Sequence, residues 1–507
     1  MRTQPLHDFL LIGGQEPMES RLRDNSNVFK GIPPYFTPYG RDFIAASRKG
    51  YSFPAYAIAA LSAVLKDSGF SVSCVNDFYS EPESETAKKI KSTRLAVCIS
   101  TTFLTKMDSI KRIIRFVRSA KPGARIVMGG AGIINFPGSR RDADINVFYE
   151  AEETMRELAR FISAKGGLSG VAGISYRVRG EEVFTPERAV IGDLGKTPIP
   201  DWGAVSEKVR EERYLPIESS RGCVGSCLFC LETRYWPGVR FYPVERVMRE
   251  LKTNIGKFGV RHYYFQDSNI SNNPGYLADL CDSMRSAGLG ITWSCESRID
   301  TVTKGLVDKM RAAGCRAITF GMESADGRIL RNMNKPMSRK KMKAFLAVVR
   351  RMRRSGMMAN INVMVGFPGE DRISVRRTVD FLREAQPVAY SMSKFFLEKG
   401  TGIWNSRKSF GLKGSMYRWR HDTMCSKELD DIVRDIFLAV SADLRIFHWA
   451  SASVDLVRHM SKGKSFDDFL GYIKSVNQIC LEDLTRKGER YSARYDSSYR
   501  HIAGYLS

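Results

Sequence analysis

The sequence predicts an α/β protein: an open parallel sheet at the N-terminal end, a partial (β/α)6 barrel in the middle and a helical region at the C-terminal end. Short apolar runs alternate with amphipathic helical segments through residues 1–165 and again from residue 213, as parallel strands joined by helical crossovers do. Between the two series, from Gly170 to about Trp202, "GISYRVRGEEVFTPERAVI" alternates around a glycine turn, and "KTPIPDW" follows as an ordered linker. The expected boundaries are 1–165 for the first sheet, 166–212 for hairpin and linker, 213–390 for the barrel and 391–507 for the helical region.

In the first series "DFLLIGG" is a short strand closed by two glycines, and "AYAIAALSAVLKDSGF" is a helix that stops at Gly69. The strand "SVSCVNDF", the strand "RLAVCISTT", the helix "MDSIKRIIRFVRSAKPG" and the strands "RIVMGGAG" and "INVFYEAEE" follow, and "ETMRELARFISAKGG" closes the unit. Ligands of such sheets lie beyond the carboxyl ends of the strands. That edge carries Gly13–Gly14, Asn76–Asp77, Ser100, Thr101, Thr102, Gly129, Gly130 and Tyr149–Glu150. The second series opens with "YLPIESS" and continues through "RHYYFQDS", "ITWSCESRI", "RAITFGMES", "ANINVMVGFPGE" and "VAYSMSKFFL", giving six strand–helix units. In such barrels the active site forms at the loops after the strands.

Composition sets the class. Hydrophobic residues make up 43% of the 507 residues, ample for packed cores. No run of eighteen apolar residues occurs, so no membrane span is expected. "MRTQPLHDFLLIGGQEP" is too short in its apolar part for a signal peptide, and the scattered cysteines suit a reducing, cytoplasmic location. The net charge of +24 raises the question of an anionic partner. The densest basic block, Arg331 to Arg354, contains no acid, yet "MKAFLAVV" within it has helical apolar spacing; a helix with a solvated cationic face accounts for it without a nucleic-acid ligand.

Ten cysteines occur in the chain, and Cys223, Cys227 and Cys230 fall within "SSRGCVGSCLFC", directly after the first strand of the barrel. Zinc sites recruit four ligands, commonly as two separated pairs, and no second pair follows. Iron–sulfur clusters take thiolates, four for a complete 4Fe–4S cube; three would leave one iron open.

The loop "CVGSCLFC" resembles that of the radical S-adenosylmethionine (SAM) enzymes, whose open iron binds the amino and carboxylate groups of SAM. The resemblance covers Tyr214 to Gln386. It implies that Cys223, Cys227 and Cys230 hold a 4Fe–4S cluster and that Phe229 packs near the adenine. It also implies that strand-end residues Asp267, Arg298, Glu323 and Gly366 hold SAM, with "GFPG" letting backbone approach the ligand. Of the other seven cysteines, Cys281, Cys295, Cys315, Cys425 and Cys480 read as packed thiols.

A flavodoxin-like sheet ahead of this barrel resembles the cobalamin-binding radical SAM enzymes, class B methyltransferases among them. "CISTT", "VMGGAG" and "DINVFYEAEETMREL" carry the likeness in order, and they imply that Ser100, Thr101, Thr102, Gly129, Gly130 and Glu150 line a cobalamin site. Family members that ligate cobalt through histidine have Asp-x-His-x-x-Gly after the first strand. This chain has "GGQEPME" there, and of its six histidines only His7 lies in the first domain, before the strand, so cobalamin without a histidine lower ligand is expected.

Three activities stay open on the sequence. The first is cobalamin-dependent methylation of an unactivated carbon or a phosphorus in a small molecule, lipid or natural-product intermediate. The second is radical coupling, rearrangement or oxidation with an empty sheet domain. The third is nucleic-acid methylthiolation, against which stand the lack of an N-terminal cysteine triad and a helical C-terminus. The resemblance further implies an external electron donor such as flavodoxin or ferredoxin, no specific nucleic acid, and peripheral membrane contact if the substrate is a lipid. In "MYRWRHDTMCSKELDDIV", Ser426 reads as a helix cap, while Trp419 and Met424 either dock this region on the barrel or flank a substrate contact at Arg420 and His421.

Overall fold

The computed structural model describes residues 6–15, 53–104, 106–441, 446–447, 452–485, 497–498 and 500–501. The chain divides into two compact units that meet in sequence between Glu212 and Arg213. The loop expected in place of the histidine motif, from Glu16 onward, and most of the polar tail lie outside the described residues.

The first unit is built on β1 (His7–Ile12), β2 (Val72–Val75), β3 (Thr93–Ser100), β4 (Ile126–Gly129) and β5 (Ile145–Val147). They run parallel in the order β2-β1-β3-β4-β5, the flavodoxin-like order, which makes β1/β3 the topological switch point. Every residue of β1 is buried, as a central strand covered on both faces requires. The helix Met107–Ala120 turns Ile110, Ile113, Ile114 and Val117 inward at one-face spacing, and these join Leu10, Ile12, Val97, Ile99 and Ile126 in one core.

The predicted hairpin is β6 (Ile174–Val178) and β7 (Glu181–Phe184). It is part of the first sheet rather than a piece standing between domains: β6 pairs antiparallel with β5, Val147 opposite Ile174. β5 would otherwise present an unpaired edge, and the hairpin satisfies its backbone groups.

The second unit carries β8 (Tyr214–Ile217), β9 (Ser220–Arg221), β10 (Arg240–Phe241), β11 (His262–Phe265), β12 (Thr292–Arg298), β13 (Cys315–Glu323), β14 (Met358–Val365) and β15 (Ala389–Lys394). The six long strands are parallel in the sequential order β8-β11-β12-β13-β14-β15, as expected of a partial barrel. Alternation sorts their faces. Phe320 packs edge-on against Phe345 of the basic helix Arg339–Arg354, while its neighbour Thr319 points to the opposite face and hydrogen-bonds Ser453 at 2.8 Å. The basic block is thus a covering helix with Phe345, Leu346, Val348, Val349 and Met352 buried and its cations outside. Arg351 pairs with Asp308 at 2.7 Å.

The C-terminal region is helical at Leu429–Ser441, Ala452–Ser461 and Phe466–Thr485. Before them the structure adds a small antiparallel sheet, β16 (Lys413–Ser415), β17 (Arg418–His421) and β18 (Met424–Cys425). Its signal was the alternation Arg418, Trp419, Arg420, His421, exposed and buried in turn. Ser426 is not the helix cap: its hydroxyl accepts from the Trp419 amide, and Cys425 and Glu428 form the capping box one residue earlier. The residues β19 (Ile446–Phe447) pair parallel with β15.

Candidate active site

Glu218, just past β8, braces the start of the cysteine loop by accepting from Arg221 Nε (3.1 Å), Tyr242 (3.0 Å) and Gln266 (3.1 Å). Gly222 then turns the chain with φ +85°, and a Cβ there would stand 2.1 Å from the Gly238 carbonyl, so only glycine serves. The loop is tied down on several sides. Val224 N donates to Asn272 (3.1 Å), Leu228 N to the Met333 carbonyl (3.0 Å), and Asn334 to the Ser226 carbonyl (2.9 Å). Ile403 N donates to the Leu228 carbonyl at 2.7 Å.

This frame presents Cys223 and Cys227 half-buried and Cys230 exposed, all as free thiols. Burial raises the Cys223 thiol above its ordinary range, so a metal must displace its proton on binding. Donors already point at the sulfurs: Gly225 N to Cys223 (3.4 Å), Glu232 N to Cys230 (3.4 Å) and Arg298 Nη1 to Cys227 (3.6 Å). Among the described residues no three His, Cys, Asp or Glu side chains converge on a single ion. A cube places each thiolate on a different iron, so three separated sulfurs with N–H donors around them fit a 4Fe–4S cluster.

The predicted SAM-binding residues divide. Phe229 sits beside the cysteines with its ring against the fully buried Phe367, centroids 6.2 Å apart. Glu323 ends β13 in a left-handed conformation, φ +69°, costly for a non-glycine residue, and accepts from Lys335 at 3.0 Å. Lys335 also donates to the Gly321 carbonyl at 2.7 Å, so the carboxylate stands at the strand end already neutralised.

Three more of the expected residues have partners within the protein. Asp267 is 2% exposed and takes three hydrogen bonds, from Ser219 N (3.1 Å), Ser219 Oγ (2.8 Å) and Ser220 Oγ (2.6 Å); it braces the strand that leads into the cysteine loop and offers no open face to a cofactor. Burial raises its carboxyl to about 6 despite those donors. Arg298 faces Cys227 and Asp300. Gly366 has φ +96°, and the Trp419 ring and the Leu429 side chain approach its α-carbon. Trp419 is buried and donates from Nε1 to the Phe395 carbonyl at 2.9 Å, which is docking; Met424 is buried too, Arg420 is exposed, and the buried His421 lies within 3.3 Å of the Gly366 carbonyl.

In the first unit, Thr101 is fully buried and donates to the Gly129 carbonyl at 2.7 Å, so it serves the sheet, while Thr102 is exposed and Ser100 half-exposed. Gly130 has φ +98°, and a Cβ there would stand 2.6 Å from Thr102 Oγ1; its bareness makes room for the Ser100–Thr102 turn. Gly129 has ordinary space, 3.4 Å to the Val147 carbonyl. Glu150 is buried and accepts from Ile191 N at 2.7 Å, which clasps the linker. Asn76 and Asp77 likewise bond backbone, to Ala55 N and Gln15 N.

Gln15, missed on the sequence, bears on cobalamin. It is 8% exposed at the carboxyl end of β1, and its Nε2 is buried without a hydrogen-bond partner among the described residues. Orphaned buried donors are rare and point to a ligand or water. A corrinoid rimmed with amides suits this donor and the hydroxyls of Ser100 and Thr102. His7 sits at the opposite end of β1, bonded to Thr93 at 2.9 Å, so no histidine is available at the carboxyl edge among the described residues.

The comparisons agree with this geometry. The profile of the Radical SAM superfamily matches residues 217–382 and that of the B12 binding domain residues 43–159. The chain carries a radical SAM domain and a B12-binding domain. It is 27% identical over 354 residues to an uncharacterized methyltransferase of Pyrococcus horikoshii, covering 67% of this chain and 75% of that one. It is 24% identical to the cytidylyl-2-hydroxyethylphosphonate methyltransferase of Streptomyces wedmorensis, over 59% of this chain and 63% of the relative. Its fold matches that of the radical SAM methyltransferase TsrM from Kitasatospora setae with TM-score 0.69 at 15% identity, covering 94% and 99% of the two chains. The cobalamin-dependent radical SAM enzyme OxsB matches with TM-score 0.67 at 14% identity, over 99% and 84%.

Proposed function

We propose that this enzyme is a cobalamin-dependent radical SAM methyltransferase that acts on a small molecule, at an unactivated carbon or a phosphorus. The observation that carries it is the pairing, in one chain, of a three-thiol loop at the carboxyl edge of a parallel βα sheet with a β2-β1-β3-β4-β5 sheet whose carboxyl edge offers an orphan amide and hydroxyls. When bound, the cluster supplies the electron for cleavage of SAM and cobalamin supplies a methyl carrier. Cys223, Cys227 and Cys230 hold the iron, Phe229 and Glu323 border SAM, and Gln15, Ser100 and Thr102 face the corrinoid. A phosphonate methyltransferase among the relatives supports a small-molecule acceptor.

An electron must come from outside the chain, and a flavodoxin or ferredoxin in the cytoplasm is the class that fits. No described helix is long and apolar enough to cross a membrane. A lipid substrate would be met by peripheral contact.

The test is anaerobic reconstitution with iron, sulfide and hydroxocobalamin, followed by methyl-labelled SAM and a reductant. Labelled methylcobalamin is the expected product. One observation favours the second reading, a radical enzyme without functional cobalamin: the bare α-carbon of Gly130 is taken up by Thr102. An anaerobic magnesium-protoporphyrin IX monomethyl ester cyclase of Rubrivivax gelatinosus is also among the relatives, at 22% identity. SAM cleavage with no cobalamin uptake would select that reading.

A further inference from the structure

Arg298 closes β12 with its backbone amide fixed by Asn269 Oδ1 at 3.0 Å. Its side chain makes a two-pronged pair with Asp300, Nε to Oδ1 at 2.9 Å and Nη2 to Oδ2 at 3.0 Å. That fork leaves Nη1 to reach Cys227 Sγ at 3.6 Å. Planar guanidinium geometry permits all three contacts at once; a lysine ammonium on its flexible stem does not. The loop makes room for it, because a Cβ on Gly225 would stand 2.4 Å from Nη1. Both partners are largely enclosed, with side chains 13% and 15% exposed, so solvent screens the charge little.

A charged donor aimed at a cluster ligand has a definite consequence. Adding an electron to an iron–sulfur cluster adds negative charge spread over its sulfurs, and nearby N–H donors and cations stabilise that state more than the oxidised one. We infer that Arg298, clamped by Asp300, is a positioning residue that fixes a positive charge at Cys227 and raises the reduction potential of the cluster on the cysteine loop. This rests on the radical SAM assignment and goes beyond it, since it concerns how readily the cluster accepts its electron. A guanidinium stays protonated at every working pH, so the charge is always present.

The test is a redox titration of the reconstituted full chain, with dithionite as the one-electron donor and the paramagnetic reduced cluster read by electron paramagnetic resonance. Iron content is measured alongside. Arg298→Gln leaves Asp300 facing the cluster and should lower the equilibrium constant for reduction at least tenfold, a fall of ~59 mV for one electron. Asp300→Asn keeps an acceptor for Nε but removes the counter-charge, and should raise the potential. Opposite shifts are what a charge effect gives; a merely structural role does not produce them. An unchanged potential in Arg298→Gln with full iron overturns the inference. Should that variant lose its iron, Asp300→Asn decides: a raised potential supports the inference, and an unchanged or lowered one overturns it. Failure of the radical SAM assignment looks different, because the unmodified chain would then take up no cluster to titrate.

Discussion

The α-carbon of Gly366 lies against the indole of Trp419, so closely that a Cβ would stand 2.8 Å from Cη2 and 2.9 Å from Cζ2. The contact joins the loop after β14 to the small sheet of the C-terminal region. Aromatic packing carries it onward. Trp419 packs on Phe395 with centroids 5.2 Å apart, Phe395 on Phe367 at 5.1 Å, and Phe367 on Phe229 at 6.2 Å, next to the third cysteine. A glycine that the sequence marked for a ligand thus seats the element that closes over this end of the sheet.

Gly366→Ala should therefore destabilise the chain by about 1–3 kcal/mol, through overpacking against a buried ring and a left-handed backbone. Urea denaturation followed by tryptophan fluorescence measures it. Trp419→Phe, which removes the crowding ring edge, should recover part of the loss in the double variant, whereas strict additivity would leave backbone strain and the Leu429 side chain, also 2.8 Å from such a Cβ, as the cause.

Replacing Cys223, Cys227 and Cys230 together by alanine should abolish iron uptake, from about four irons per chain to none, and with it reductive cleavage of SAM. The thiols are not core residues, and far-ultraviolet circular dichroism should stay unchanged. Cleavage surviving in the triple variant would remove the cluster from the argument.

Both parallel sheets were legible in the sequence because strand and helix periods differ and the strands end in glycines or hydroxyl residues. The cysteines were legible because their spacing is local. What was not legible depends on side chains far apart in sequence. Asp267 and Glu150 stand at strand ends where ligands bind, and only the fold shows their oxygens taken by Ser219 and Ser220 and by Ile191. Asp300, two residues beyond Arg298, was available as a strand-end partner, but the approach of Arg298 to Cys227 crosses 71 positions. The β16–β18 sheet was hidden because its strands are of four residues or fewer, too short for a period to register.

Glu370, in the loop after β14, should give a pH signature. It is 2% exposed and accepts from Gly366 N, and burial pushes its carboxyl from 4.5 up to about 8. A carboxyl whose folded pKa is raised contributes most below its unfolded pKa and loses that contribution as pH rises through the folded one. Stability should therefore fall between about pH 4.5 and pH 8 on account of this group. Glu370→Gln should flatten that fall in a series of thermal melts, and an equally steep fall in the variant would show that other groups cause it.

The basic helix should bind polyanions weakly and without sequence preference. Asp308 and Glu384 pair with Arg351 and Arg350, which leaves Arg339, Lys340, Lys341, Lys343, Arg353 and Arg354 to meet an anion. Affinity for a random-sequence RNA should drop steeply with salt through counterion release. Tight, sequence-dependent RNA binding would instead favour a nucleic-acid substrate.

Cobalamin uptake by the first unit is the decisive measurement, and the structure sharpens what to expect. One sheet with one switch point offers one crevice, so the chain should bind about one cobalamin. With no histidine at the carboxyl edge among the described residues, and with the nucleotide tail held away from the cobalt on binding, the cobalt(II) resonance should show no nitrogen superhyperfine splitting. Gln15→Leu removes the orphan donor while keeping the bulk, and the loss of one hydrogen bond of about 0.5–1.5 kcal/mol should weaken uptake roughly two- to tenfold. Gly129 and Gly130 should separate. Alanine at Gly129 meets only ordinary contacts, whereas any side chain at Gly130 pushes into Thr102 and displaces the turn that carries the hydroxyls. Uptake should survive Gly129→Ala and fall in Gly130→Val, with iron content the same in both. If hydroxocobalamin at high micromolar concentration is ignored by a chain that still cleaves SAM, methyl transfer through cobalt is wrong for this enzyme, and the orphan amide of Gln15 must be satisfied by something else.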